Sequence, residues 1–494
     1  MNMLRYTPLS SGRSYAVGLI INFAGWIIVL AWLMSEHPDG LLQMVTEHSA
    51  TFAVFGVIAM WRYLWLATHF CRAMIYQYVT FPRVRLASQN AGKASHIYAV
   101  VLSYRMESDV NATAYMAIAR DIAHYGCAGT IVACISDQAD IDLLESLPLP
   151  ACVRLIPLMQ SGRGKRDAME RALTFLANES RPANACLALI DGDSVLPPGT
   201  FSRTACLLMH DPHIGAVTAN NTPAVWGSDL IRNWYWLRMQ QRHLLMCSMS
   251  MSQKVLVLTG RYSLFRADIG LSREFIAQVG RDVIDHWRIG RIRMLTGDDK
   301  STWFSVLKHG WGMLYVPDVH VCCLEKPAGN GLLNSTVPLM ARYYGNMARN
   351  NGRAIRLGPR AIGLFTWWSL IDQRLSPWTT MLAPTVAVTA SVLWWHSAFI
   401  AYLSWAFFTR TVQCLGIWLL CRRVHPYMTF LLMYNQMTGA AVKVFVFFNL
   451  DRQRWTRQNT GSSARAAAVY SSAPLMWTSV TLMVLAVCLM VVSL

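Results

Sequence analysis

Residues 14–34, 51–68, 378–396, 399–421 and 475–494 are apolar over close to the length a bilayer-crossing helix needs, about 20 residues. The first is too long for the apolar region of a cleaved export signal and lacks a small-residue cleavage site, so it reads as an anchor. The second continues apolar towards Tyr78. A sixth stretch, 426–448, carries Asn435, Gln436 and Lys443 and is basic on both flanks; that pattern suits an interfacial or re-entrant helix. Between residues 95 and 317 short apolar runs alternate with amphipathic ones. Strands are expected at 97–103, 130–136, 154–157 and 185–190, and helices at 112–125 and 166–179. The alternation predicts an α/β domain with a mostly parallel sheet, whose ligands bind beyond the carboxyl ends of the strands.

Basic residues set the orientation of membrane helices. Arg5 and Arg13 precede the first span, and the loop after it holds Glu36, Asp39 and Glu47 but no Lys or Arg. Arg72, Arg83, Arg85 and Lys93 follow the second span, and Arg422, Arg423, Arg452, Arg454 and Arg457 flank the 426–448 stretch. The N-terminus and the α/β domain are therefore expected in the cytoplasm. The expected organisation is two spans in 1–80, the α/β domain in 95–335, interfacial helices in 336–376 and two spans in 377–425. An interfacial helix and loop follow in 426–473, and a last span in 474–494. That makes about five spans around one inserted domain.

Composition narrows the picture. Of the 494 residues 54% are hydrophobic and 14% charged, against about 25% charged in soluble domains, and the mean hydropathy is +0.30. A disordered chain is excluded. The net charge of +17 suits positive cytoplasmic faces or an anionic ligand; without a long Lys/Arg run, nucleic acid is not expected as a partner. The twelve cysteines form no CxxC and read as free thiols. Arg62 and Arg410 fall inside expected spans, where a cation usually faces a polar cavity or a partner.

Three motifs carry candidate chemistry. Asp191-Gly192-Asp193 ends an apolar run. Two such carboxylates can hold a divalent metal against a diphosphate, although Asp and Gly also make ordinary turns. Gly162-Arg163-Gly164-Lys165-Arg166-Asp167 precedes a helix and is either a phosphate seat or a solvated basic turn. Thr296-Gly297-Asp298-Asp299 opens another helix. Adjacent carboxylates raise each other's proton affinity, which suits a general base; Asp is also a common helix cap.

The order GKRD, DGD, TGRYSLFR (259–266), GDD and an Arg-aromatic pair, set between membrane spans, resembles the processive family 2 glycosyltransferases that make cellulose, chitin and hyaluronan. Residues 61–79, 286–305, 342–351 and 447–460 are most similar to the mannuronan synthase (alginate polymerase) branch of that family. The resemblance implies a GT-A catalytic domain inserted in an α-helical transmembrane domain, in a multi-pass protein of the bacterial inner membrane. It implies that GDP-mannuronate is polymerised into β-1,4-polymannuronate with inversion. By the same resemblance Asp299 is the catalytic base with Asp298 beside it, and Asp193 ligates Mg²⁺ or Mn²⁺. Lys165, Arg166, Asp191, Glu107 (or Asp137), Arg342 and Tyr343 bind the donor. Gly260, Arg261 and Tyr262 border the acceptor, and Trp455, Thr456 and Arg457 form a gating loop. Arg62 and Arg410 line the channel. Where relatives have QxxRW, this chain has Leu339 at the Gln position and Tyr343 at the Trp position, which removes a glutamine contact and keeps the arginine. The implied partners are an inner-membrane PilZ-domain protein that binds cyclic-di-GMP, and periplasmic export proteins.

Overall fold

Four runs rich in Val, Ile, Leu and Ala, flanked by amphipathic helices, build the heart of the α/β domain. The computed structural model describes residues 13–36, 46, 49–160, 163–179, 182–327, 329–393, 396–425, 427–455, 460–462, 476–482 and 484–485. Strands β1 (His96–Leu102), β2 (Ala128–Ile135), β3 (Val153–Met159) and β4 (Cys186–Asp191) pair in parallel. Ile97, Val100, Ile131, Val132, Leu187 and Ile190 are almost wholly buried, as expected where helices cover both faces of a parallel sheet. The sheet continues through strands the alternation did not reveal: β5 (Ser194–Val195), β6 (Ile214–Val225) and β7 (Ser263–Arg266). After a hairpin of β8 (Val283–His286) and β9 (Gly290–Arg293) comes the longest strand, β10 (Gly312–Glu325). The order is β3-β2-β1-β4-β7-β6-β10-β5. β7 runs antiparallel to both β4 and β6, and β5 antiparallel to β10, so the sheet is mixed where the site forms.

Among the described residues two long helices precede this domain, α1 (Arg13–Glu36) and α2 (Ser49–Ile75). Within it lie α3 (Ser108–Tyr125), α4 (Gln138–Glu145), α5 (Lys165–Ala177), α6 (Thr200–His210), α7 (Asp229–Ser250), α8 (Arg273–Gly280) and α9 (Asp298–Lys308). Four long helices follow: α10 (Leu332–Arg356), α11 (Leu364–Leu393), α12 (Ala398–Cys421) and α13 (Met428–Phe448). The chain then docks back on the domain in a small hairpin of β11 (Gln453–Trp455) and β12 (Thr460–Ser462).

Among the described residues two helical segments are long and apolar enough to cross a membrane, Ala16–Ser35 and Met428–Phe448. The second falls in the 426–448 stretch expected as an interfacial or re-entrant helix; it is helical, and its length and apolarity also meet those of a span. The other expected spans are helical where described: 51–68 within α2, 378–393 within α11, 399–421 as α12, and 476–482 with 484–485 near the C-terminus. α1 packs on α12 through stacked rings, Phe23 with Phe408 at 5.3 Å and Trp26 with Phe407 at 5.2 Å between centroids. Its opposite side leaves Ile21 and Ile28 66% and 68% exposed. The eleven described cysteines are free thiols.

Candidate active site

Strand β4 delivers Asp191 at its carboxyl end. The next residue is glycine because a Cβ there would run into the Ser103 hydroxyl and backbone; its N–H donates to Leu102 O at 2.9 Å. The Asp191 N–H donates to Gly260 O at 2.8 Å, and a Cβ on Gly260 would come within 2.9 Å of Asp191 Oδ2. The 259–261 loop thus closes directly against the carboxylate. Asp193 follows, held where its carbonyl accepts from Leu324 N at 3.1 Å.

Lys165 opens α5 and connects two of the motifs. Its Nζ lies 2.7 Å from Asp191 Oδ1 and 2.7 Å from Asp298 Oδ2. Gly297, in the left-handed region at φ +81°, starts α9 and presents Asp298 and Asp299. Burial raises the proton affinity of Asp298, but Lys165 and Arg166 more than offset it and hold the group ionised. Asp299 shifts the other way: burial and the neighbouring Asp298 charge raise its pKa. It keeps one anchor, accepting from Lys300 N at 2.9 Å. Burial also lowers the Lys300 ammonium to about 8. One buried acid is fixed as an anion beside a second with raised basicity, which is what a proton acceptor near neutral pH requires.

Two expected contacts are corrected. Arg166 does not line the cavity. It is 6% exposed and donates to Val279 O at 2.7 Å, Thr296 O at 3.1 Å and Ser301 Oγ at 3.0 Å. The helix phase that turns Lys165 outward turns Arg166 inward, where it braces the loop carrying the aspartate pair. Tyr262 is also interior, fully buried with its hydroxyl 2.6 Å from Thr204 Oγ1. Asp137 caps α4 through Ala139 N. Glu107, by contrast, lines the cavity and pairs with Lys326.

Gly260, Arg261, Arg342 and Tyr343 line the same cavity. Arg261 pairs with Glu325. Burial pushes the Tyr343 phenol up, but Arg261, Arg342 and Arg238 outweigh it and bring it down to about 8.

The cavity measures about 1540 Å³ and is continuous from Asp191, Asp193, Asp298 and Asp299 to Tyr402 and Arg410 on α12. Arg62 lines it and pairs with Asp372 of α11. Arg410 lines it and donates to Gln436 Oε1 at 2.9 Å and Thr409 Oγ1 at 3.0 Å. The polar residues that made 426–448 ambiguous, Asn435, Gln436 and Lys443, all face this space. Of the expected gating loop, Trp455 ends β11, whereas Thr456 and Arg457 lie outside the described residues. Just before it, Gln453 Oε1 accepts from Leu295 N at 2.9 Å and Thr296 N at 3.3 Å, and its Nε2 donates to Arg293 O at 2.9 Å. Sequence reasoning missed Gln453, Asp372, Arg238 and Arg242; only the last two carried a signal, as a basic pair one turn apart in an apolar, aromatic segment.

Among the described residues no group of three metal-ligating side chains forms. A Mg²⁺ ion bound largely by phosphate oxygens needs one or two carboxylates. Asp191 and Asp193 both lie on the cavity wall, and a carboxylate such as that of Asp193 has the chemistry this role needs.

The family model described as glycosyltransferase-like family 2 matches residues 94–346. The protein named Glycosyltransferase alg8 from Pseudomonas syringae pv. tomato is 37% identical over 91% of this chain and 93% of its own length. The protein of the same name from Azotobacter vinelandii is 36% identical over 90% of this chain and 92% of its own. Among solved structures, the Pyrobaculum calidifontis mannosyltransferase PcManGT in complex with GDP-Man and Mn²⁺ is 17% identical, covering 77% of this chain and 96% of that one with a TM-score of 0.41. By the family match and by the two alg8 relatives, the chain belongs to glycosyltransferase family 2.

Proposed function

We propose that this enzyme polymerises GDP-mannuronate into β-1,4-polymannuronate, the alginate precursor, and passes the chain outward across the bacterial inner membrane. The observation that carries the reading is the single cavity joining the Asp298–Asp299 pair to Arg410. The alg8 relatives support glycosyl transfer, and the sugar is what the resemblance to mannuronan synthases implies. The exposed apolar face of α1 and the apolar length of α13 support a membrane setting.

In the proposed reaction the 4-hydroxyl of the acceptor attacks the anomeric carbon of the donor. Its proton passes to Asp299, the new C–O bond forms with inversion, and the bond to the diphosphate breaks to release GDP. Lys165 holds Asp298 ionised and Asp191 in place, which leaves Asp299 as the acid whose proton affinity is raised. Arg342 faces the departing diphosphate, and Glu107 borders the donor. Asp193 would hold Mg²⁺ or Mn²⁺, whose charge offsets that of the leaving group. Fixed charges of this kind act by preorganisation. The segment at 455–457 closes over bound donor. A separate PilZ-domain partner senses cyclic-di-GMP, and export proteins receive the polymer in the periplasm.

The test is a donor panel. Membranes containing the protein are incubated with Mg²⁺ and, in turn, GDP-mannuronate, UDP-glucose and UDP-GlcNAc. The reading expects high-mass product from GDP-mannuronate alone; polymer from a neutral donor overturns the proposed substrate.

A further inference from the structure

Helix α7 carries Arg238 and Arg242 one turn apart, so their side chains share a face. Both line the cavity. The Arg238 guanidinium is held by two rings, 4.7 Å from the Trp234 centroid and 5.0 Å from that of Tyr343. Its Nη1 is buried and meets no acceptor among the described residues, and the same holds for Nε and Nη2 of Arg242. With its amide turned to satisfy both ends, Asn221 accepts from Arg242 Nη1 at 2.9 Å and leaves those two donors over. Neighbouring Arg261 differs, because Glu325 neutralises it. Buried guanidinium donors without acceptors are unfavourable, and ligand oxygens entering the cavity would relieve them.

We infer that Arg238 and Arg242 form a carboxylate subsite that binds uronate groups of the nascent chain and selects an acidic over a neutral polymer. This rests on the proposed function and adds the residues that read the polymer. Two anionic oxygens could occupy the site, those of the donor diphosphate or those of the chain. Placement favours the chain. Trp234, one turn before Arg238, donates from Nε1 to Asn435 Oδ1 at 3.2 Å, and Asn435 Nδ2 donates to Gln241 Oε1 at 3.0 Å. This face of α7 therefore abuts α13, whose Gln436 accepts from Arg410, whereas Lys165 opens α5 and Asp193 follows strand β4. A guanidinium braced between rings is also suited to forked recognition of a carboxylate.

The test uses purified full-length protein and three probes: labelled oligomannuronate, the matching neutral β-1,4 oligomannoside, and GDP. The subsite requires that R238Q/R242Q lose oligomannuronate affinity by about tenfold or more per residue while binding GDP and the neutral oligomer as before. R238K/R242K should recover part of the loss. The single variants run alongside, so a folding failure of the double variant leaves the test standing. Unchanged oligomannuronate binding, or equal loss of the neutral oligomer, overturns the subsite. So does loss of GDP binding with oligomannuronate retained, which would give the pair to the diphosphate. Wild-type polymer synthesis from GDP-mannuronate is scored separately. Its failure would overturn the proposed donor, while oligomannuronate still probes the arginines as a plain polycarboxylate.

Discussion

The Lys165 ammonium sits 2.7 Å from Asp191 and 2.7 Å from Asp298, so a single cation joins the end of strand β4 to the start of helix α9. Removing one partner of a buried ionic group leaves the others uncompensated, at about 3–5 kcal/mol. Lys165→Met is expected to lower the unfolding temperature and to cut polymer formation by about 10²-fold or more. Lys165→Arg, which keeps the charge, should retain more of both. Thermal unfolding and product assays on the same preparations check this; a Lys165→Met enzyme with wild-type stability and turnover contradicts it.

Asp299 is useful as a base only when ionised. Burial and Asp298 raise its proton affinity, so activity should rise with pH along a limb centred above the ordinary carboxylate value of roughly 4. Asp299→Asn keeps an acceptor for Lys300 N and should fold and bind GDP, yet make no polymer. A pH profile of kcat/KM and a GDP-binding assay test both points. A limb at or below the ordinary range, or normal chain growth by the variant, would remove Asp299 from the assigned role.

The two carboxylate motifs and the first four strands were legible because each is local: an apolar run ends and an acid follows. What escaped was fixed by distant partners. Arg166 and Tyr262 are adjacent to residues that do line the cavity, and only helix phase and strand packing turn them inward. Arg62 meets Asp372 of α11, a pairing no local pattern encodes. β10 was invisible to an alternation argument because its register shifts where Val316 gives way to His320. The polar residues of α13 looked anomalous in an apolar helix until the cavity supplied their reason.

Gln453 fastens the C-terminal hairpin to the loop that carries the aspartate pair, through Leu295 N, Thr296 N and Arg293 O. Gln453→Ala leaves those groups without their partner, at about 1–3 kcal/mol for a buried group. Turnover should fall with donor affinity little changed, and protease cleavage within 449–462 should quicken. A variant with normal kcat and normal protection would show that the hairpin does not position the pair.

Arg410 lines the far end of the cavity and contacts Gln436 rather than an acid. If the proposed polyanion passes here, Arg410→Glu places a carboxylate in its path. In inverted membrane vesicles, lumenal polymer is expected to drop far more than GDP binding. Equal loss of both would mean that Arg410 supports the fold instead of the passage.

In the proposed function the acids and the cavity that reaches Arg410 form one path. A photo-crosslinking residue in place of Val386, which lines that cavity on α11, tests it most directly, with the same residue in place of Val392, 75% exposed on the same helix, as the control. During synthesis from radiolabelled GDP-mannuronate, labelled polymer should attach at 386 and not at 392, and Asp299→Asn should abolish the signal. Absence of label at 386 while polymer is being made, or equal labelling at both positions, would contradict the account.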